Sequence, residues 1–173
     1  VKNDKLPGKV LKMFDDYRLQ KEPGEGERDR SLSFEEYFKL LNVSPPHVKA
    51  FLIISFNTGM RLGEIRQLKW SYINWDDMLI DLPKELTKEK KRKLIPINHH
   101  VKRVLDSIIR VLRQKFVITY KNSPIKQAGG LHRSFKTACK NAKIPCGRKT
   151  INRITLHDIR RTVKTNMLRA GVE

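Results

Sequence analysis

A mainly α-helical domain with one small antiparallel β-sheet is the fold class predicted for this 173-residue chain. Three observations predict it. Apolar residues recur at helical spacing through most of the chain after Arg30, the period changes only after Trp70, and helix-start signals stand at Ser33-Phe34-Glu35-Glu36 and Thr155-Leu156-His157-Asp158.

Residues 1–30 mix Lys, Asp, Glu, Gly and Pro with few apolar positions, and Glu22-Pro23-Gly24-Glu25-Gly26-Glu27 breaks any regular element, so this segment reads as an interdomain linker. The folded domain is expected over 31–173. Ser33 with Glu36 forms a capping box ahead of Tyr37, Phe38, Leu40 and Leu41, which predicts a short helix. Pro45-Pro46 ends it. Val48 to Phe56 is almost continuously apolar and predicts a buried helix, after which Asn57-Thr58-Gly59 turns the chain. From Met60, the positions Leu62, Ile65 and Leu68 form one stripe while Arg61 and Glu64 share another face.

Met78 to Leu82 and Leu94 to Ile97 read as two strands of a hairpin around the basic stretch from Lys84 to Lys93, with Tyr72 to Asn74 as a third strand. Val101, Val104, Leu105, Ile108 and Leu112 predict a long amphipathic helix. A loop with Pro124 and Gly129-Gly130 then leads to a helix over Leu131 to Ala142. In the last segment Leu156, Ile159, Val163 and Met167 form the expected buried stripe, His157 and Arg160 share a neighbouring face, and Gly171 supplies a stop. Trp70 and Trp75 are expected in the core.

Charge points to the partner. With 37 Lys plus Arg against 18 Asp plus Glu, the net charge of +19 attracts polyanions. Double-stranded DNA is the expected partner. An anionic membrane surface is the competitor, but no long apolar run or signal-like segment appears, so no membrane role and a cytoplasmic, nucleoid-associated location are expected. At 39% apolar residues the chain can bury one core. Cys139 and Cys146 are too few for a disulfide framework, and their spacing, even with His132 added, matches no common zinc arrangement. No metal or other cofactor is expected. The chain begins at Val1 and is expected to be a piece of a longer protein.

The chemistry lies in Thr58-Gly59-Met60-Arg61-Leu62-Gly63-Glu64 and in Leu156-His157-Asp158-Ile159-Arg160. Each motif sets an arginine at an expected helix start, where a cation opposes the macrodipole and gains nothing for stability. A guanidinium fork beside free backbone N–H groups is instead a strong phosphate site. Two of them suggest one clamped phosphodiester.

These motifs, with Thr87-Lys88 ahead of Leu94-Ile95-Pro96-Ile97 and with Arg161-Thr162 after Arg160, resemble the catalytic domain of the tyrosine recombinases, the phage integrase family. The resemblance covers about residues 28 to 173 and implies a DNA breaking-rejoining catalytic fold, truncated at its C-terminus. It implies site-specific strand cleavage and rejoining through a 3′-phosphotyrosyl intermediate. Carried over by position, Arg61 and Arg160 resemble the arginine pair on the scissile phosphate, Glu64 the acidic buttress of the first arginine, and His157 the histidine that bonds the phosphate or assists proton transfer. Lys88 matches the hairpin lysine that protonates the leaving 5′-oxygen, with Lys90 and Lys91 open as alternatives. Arg161, Lys90 and Lys91 are further expected DNA contacts. The family's nucleophilic Tyr follows the His-x-x-Arg helix, so Tyr17, Tyr37, Tyr72 and Tyr120 do not fit, and the nucleophile is expected beyond Glu173. The intact protein is expected to work as a homotetramer on paired sites, and this fragment to be monomeric and unable to cleave.

Plainer explanations stand beside these. Arg61 with Glu64 is also a surface i, i+3 ion pair, His157 and Arg160 the polar edge of a capped helix, and Lys84 to Lys93 a solvated basic turn. A non-catalytic DNA-binding regulator and a basic RNA-binding domain are the alternative functions.

Overall fold

Ser33 starts the first helix, α1 (Phe34–Val43), as its capping box predicts: its Oγ accepts the Glu36 N–H at 3.1 Å and the Glu36 carboxylate accepts the Ser33 N–H at 3.0 Å. Tyr37 and Leu40 turn inward while Phe34 and Phe38 stay exposed. The structure, a computed structural model, describes residues 30–108, 114–125, 127–147 and 151–171. The expected linker therefore lies outside the described residues except for Arg30. That residue belongs to the folded domain, because its guanidinium donates to Asn152 O at 3.1 Å and to Ser31 O at 2.7 Å and pairs with Glu36.

Helix α2 (Pro46–Thr58) is the central element. Proline in its first turn lacks only a donor that the helix would leave free anyway. Val48, Phe51, Leu52 and Ile54 are buried along it, so the apolar run is a core helix as expected. Tyr37 of α1 stacks on its Phe56 with ring centroids 4.2 Å apart, and burial pushes that tyrosine's phenol up to about 12. Gly59 ends α2 at φ +62°, its N–H reaching Ser55 O at 2.9 Å. Only glycine takes this left-handed cap at no steric cost.

The short α3 (Leu62–Arg66) follows, then a 3-10 turn over Trp70–Tyr72 and a sheet with strand order β1 (Ile73–Asn74), β2 (Leu79–Leu82), β3 (Lys93–Pro96). All pairings are antiparallel, with Ile80 opposite both Ile73 and Ile95. The predicted strands shift slightly. Met78 has φ +52° and belongs to the turn before β2, Tyr72 stays in the 3-10 turn, and Ile97 lies one residue past β3, with its N–H on Met78 O at 2.8 Å. Trp70 and Trp75 pack against the core.

Helix α4 (His99–Ser107) is shorter than its apolar pattern predicts: Ile108 is already extended, and Leu112 lies outside the described residues. A small hairpin, β4 (Thr119–Tyr120) and β5 (Ser123–Pro124), turns through Lys121 and Asn122 at φ +49° and +58°. Two left-handed residues in succession are what a tight two-residue hairpin needs, but lysine carries no such signal in sequence. Helix α5 (Ala128–Asn141) takes Gly129 and Gly130 into its first turn, although both read as loop.

Helix α6 (Leu156–Arg169) buries Leu156, Ile159 and Val163. The expected stripe stops there, since Met167 is 46% exposed. Buried Thr162 pins α6 to the domain's first residues by accepting the Leu32 N–H at 2.8 Å while donating to Asp158 O at 2.8 Å. A Cβ at Gly59 would meet Val163 Cγ1 at 3.4 Å, so the end of α2 and the middle of α6 lie in contact. That contact sets the site. No described helix is long and apolar enough to cross a membrane.

Candidate functional site

Arg61 caps α3, whose five residues align too few peptide dipoles for a macrodipole argument to apply. Glu64, one turn on and only 2% exposed, organises it. Its Oε2 accepts the Arg61 N–H at 2.7 Å, and its Oε1 lies 3.2 Å from both Arg61 Nη1 and Lys93 Nζ. A surface i, i+3 pair is therefore not what the structure contains: Glu64 is a buried strut that fixes the backbone and side chain of Arg61 together. Burial alone would push the Glu64 carboxyl up, but the Arg61 N–H, the Lys93 ammonium and the Arg61 guanidinium outweigh it and hold the group below the usual glutamate range.

Arg160 stands in the second turn of α6 rather than at the helix start. Asp158 occupies that start, its Oδ2 accepting both the N–H and the hydroxyl of Thr155 at 2.8 Å. The Arg160 guanidinium donates to the carbonyl of Gly59, two residues before Arg61. The two motifs, remote in sequence, thus meet through one hydrogen bond. Burial first, and then the neighbouring Arg61 cation, hold Arg160 below the usual arginine range, while Glu64 and Glu89 oppose that shift. The two guanidinium groups are thus near enough to feel each other's charge.

Beside Arg160 opens a cavity of about 210 Å³ whose lining includes Met60, Leu62, His132, Leu156, His157 and Arg160. His157 is exposed at its mouth, on the same helix face as Arg160. His132, weighed in sequence only as a metal ligand, comes from α5 to the same cavity. Arg161 is half-buried on α6 and does not line it. Among the described residues no tyrosine lines it either, and no group of three or more His, Cys, Asp or Glu is arranged to hold a metal ion. Cys139 is buried, and burial first, with Cys146 adding, pushes its thiol up.

The hairpin departs from the sequence expectation. Lys88, Lys90 and Lys91 are all exposed, on a loop tied by buried Thr87, whose hydroxyl lies 2.7 Å from Lys91 O and 3.1 Å from Lys91 N. Asp81 on β2 grips Arg92 with two hydrogen bonds of 2.7 and 2.5 Å. The Lys84 to Lys93 stretch is mostly exposed, as a solvated basic turn would be, and these hydrogen bonds also tie it down. The lysine that joins Arg61 and Glu64 is Lys93 on β3, and the loop sends in Glu89 as well: its Oε2 lies 2.8 Å from Arg61 Nη1 and 2.9 Å from Lys93 Nζ, and its Oε1 pairs with Arg61 Nη2. Sequence reasoning missed both residues. Strand alternation carried the signal for Lys93, since on β3 it shares the half-buried face with Ile95 while Leu94 and Pro96 are exposed. Nothing in the pattern marked Glu89.

A sequence model described as the phage integrase family matches residues 30–173. The integrase of Enterobacteria phage P21 is 29% identical over 157 residues, which cover 82% of this chain and 40% of that protein. Among solved structures, XerA recombinase superposes with a TM-score of 0.67 at 19% identity, over 95% of this chain and 60% of that one. A dimer of lambda integrase residues 75–356 bound to a COC′ core site gives 0.68 at 19% identity, over 94% and 63%. The lambda integrase catalytic core gives 0.64 at 21% identity, over 82% and 84%. The chain thus spans well under two thirds of the first of these relatives, and its fold is that of a tyrosine recombinase catalytic domain.

Proposed function

Because this chain belongs to the phage integrase family, we propose that it forms part of the catalytic domain of a tyrosine-type site-specific DNA recombinase and activates one phosphodiester for strand cleavage and rejoining. The observation that carries this reading is the hydrogen bond from Arg160 to Gly59 O, which brings the second arginine motif against the first. Attack on a phosphodiester builds charge on its equatorial oxygens, and donors held in place beforehand lower that barrier, each worth about 10²–10³ in rate. Arg61 and Arg160 are those donors in this proposal, with Glu64 as the strut of Arg61. His157, at the mouth of the cavity, bonds the same phosphate or moves its proton. Lys88 protonates the leaving 5′-oxygen, with Lys90 and Lys91 as its alternatives on the same loop. Lys90, Lys91 and Arg161 add phosphate contacts along the duplex.

The attacking phenol comes from a tyrosine outside this chain. Tyr37 is unsuited, being buried against Phe56 with its proton held tightly. No metal or nucleotide enters the scheme. The lambda integrase structures include a tetramer bound to a Holliday junction, and by this reading the intact protein assembles likewise, with the isolated chain monomeric, cytoplasmic and associated with the nucleoid.

Binding of the isolated chain to duplex DNA is expected to fall steeply with salt, the log–log slope being about −0.9 for each phosphate neutralised. Titrations at four or more salt concentrations measure it. A flat dependence would remove the phosphate-based reading, and a preference for RNA over duplex DNA in competition would replace it with the RNA-binding alternative.

A further inference from the structure

One acidic side chain of the basic hairpin loop lies where its charge is least expected. Glu89 is 44% exposed and could hydrate freely, yet its carboxylate spans Arg61 with both oxygens and shares one of them with Lys93 at 2.9 Å. A carboxylate held by the fork of an arginine and by a neighbouring ammonium copies the way these cations grip two oxygens of a phosphate. The surroundings fit an anion. Glu64 holds Arg61 and Lys93 from the buried side, at 3.2 Å each, and so leaves their outer donors for a ligand.

We propose that Arg61 and Lys93 form a single oxyanion seat that Glu89 fills in the free protein, and that a DNA phosphate binds by exchange with the Glu89 carboxylate. This rests on the reading of Arg61 as a phosphate residue and adds two members to its site. Lys93 is the second cation of the seat, and Glu89 is its internal competitor. The exchange has a consequence for the loop: Glu89 follows Lys88 directly, so releasing it removes one tie on the segment that carries the proposed general acid, while the Thr87–Lys91 hydrogen bonds still hold its ends. The Arg61 guanidinium and the Lys93 ammonium hold the Glu89 carboxyl down at about 2, so it remains a competing anion throughout the ordinary pH range. Protonation does not open the seat. Only another anion does.

The sign of one effect separates this from a structural role. In the full 173-residue chain, Glu89→Gln is expected to raise affinity for inorganic phosphate about tenfold, followed by calorimetry or by amide chemical shifts near Arg61. Glu85→Gln makes the same charge change on an exposed site of the same loop and is expected to stay within about twofold of wild type. If Glu89 merely propped Arg61 in place, Glu89→Gln would weaken binding. The gain is expected to vanish in Glu89→Gln/Lys93→Gln, and its survival there would remove Lys93 from the seat. Equal affinities of wild type and Glu89→Gln, with Arg61→Ala still weakening both, would overturn the exchange while sparing the assignment of Arg61. Phosphate binding indifferent to Arg61→Ala in either background would instead overturn the assignment beneath it.

Discussion

Arg61→Ala and Arg160→Ala are each expected to weaken duplex DNA binding by about 10- to 100-fold, the loss of one charge-assisted interaction of roughly 1.5–3 kcal/mol. If the intact protein is the recombinase proposed above, each is expected to cost about 10²–10³ in cleavage rate, as for other donors aimed at developing charge. The fold is expected to survive both changes. Arg61 is about a quarter exposed, and its removal leaves Glu64 with the Lys93 ammonium as counter-ion. Arg160 loses one hydrogen bond to Gly59 O, while Leu156, Ile159 and Val163 still anchor α6. Binding isotherms paired with denaturant midpoints check both halves. Variants that bind DNA like wild type, or that unfold, would make the arginines structural.

Glu64→Ala is expected to have the largest effect on stability, about 2–4 kcal/mol. Breaking a buried ion pair typically costs about 3–5 kcal/mol. The lower figure applies because Arg61 and Lys93, 28% and 27% exposed, can turn partly to water once the carboxylate is gone. Linkage gives this residue a pH signature. Its carboxyl lies below the ordinary value of 4.5 in the folded chain, so its contribution is complete above that value and drains away as pH falls through the folded one. Wild type is therefore expected to lose stability relative to Glu64→Gln as pH is lowered from about 6 toward 3, in urea titrations at fixed salt. Parallel pH curves for the two proteins would show that the carboxylate is not ionised and paired as described.

Local signals with a short reach were legible in the sequence. Ser33 and Glu36 form the predicted capping box, the apolar run of α2 is a core helix, and Gly59 turns the chain in the left-handed conformation. Boundaries failed where tertiary context decides them. The glycines at 129 and 130 are helical because α5 is held by Leu131, Phe135 and Ala138 in the core. Met167 fits the apolar period of α6 but has no described neighbour to cover it fully. For the site, the motif residues Arg61, Glu64, His157 and Arg160 were legible as types at set spacings, while their geometry was not. Sequence put both arginines at helix starts, whereas Arg160 reaches the site from a second turn because α6 crosses the end of α2 at Gly59 and Val163. The partners supplied by the hairpin depend on strand register. Which of its many cations faces Glu64 is decided by β3 pairing with β2, which sets Lys93 opposite Leu82.

The central claim is that Arg61 and Arg160 grip one phosphate together. Side-chain nitrogen NMR of the two guanidinium groups during titration with inorganic phosphate tests it most directly. If they share a ligand, both resonances are expected to move along one binding curve with a single dissociation constant, and replacing either arginine by alanine is expected to abolish the shift of the other. Two separate dissociation constants, or an Arg160 signal that ignores phosphate while Arg61 responds, would contradict the shared clamp.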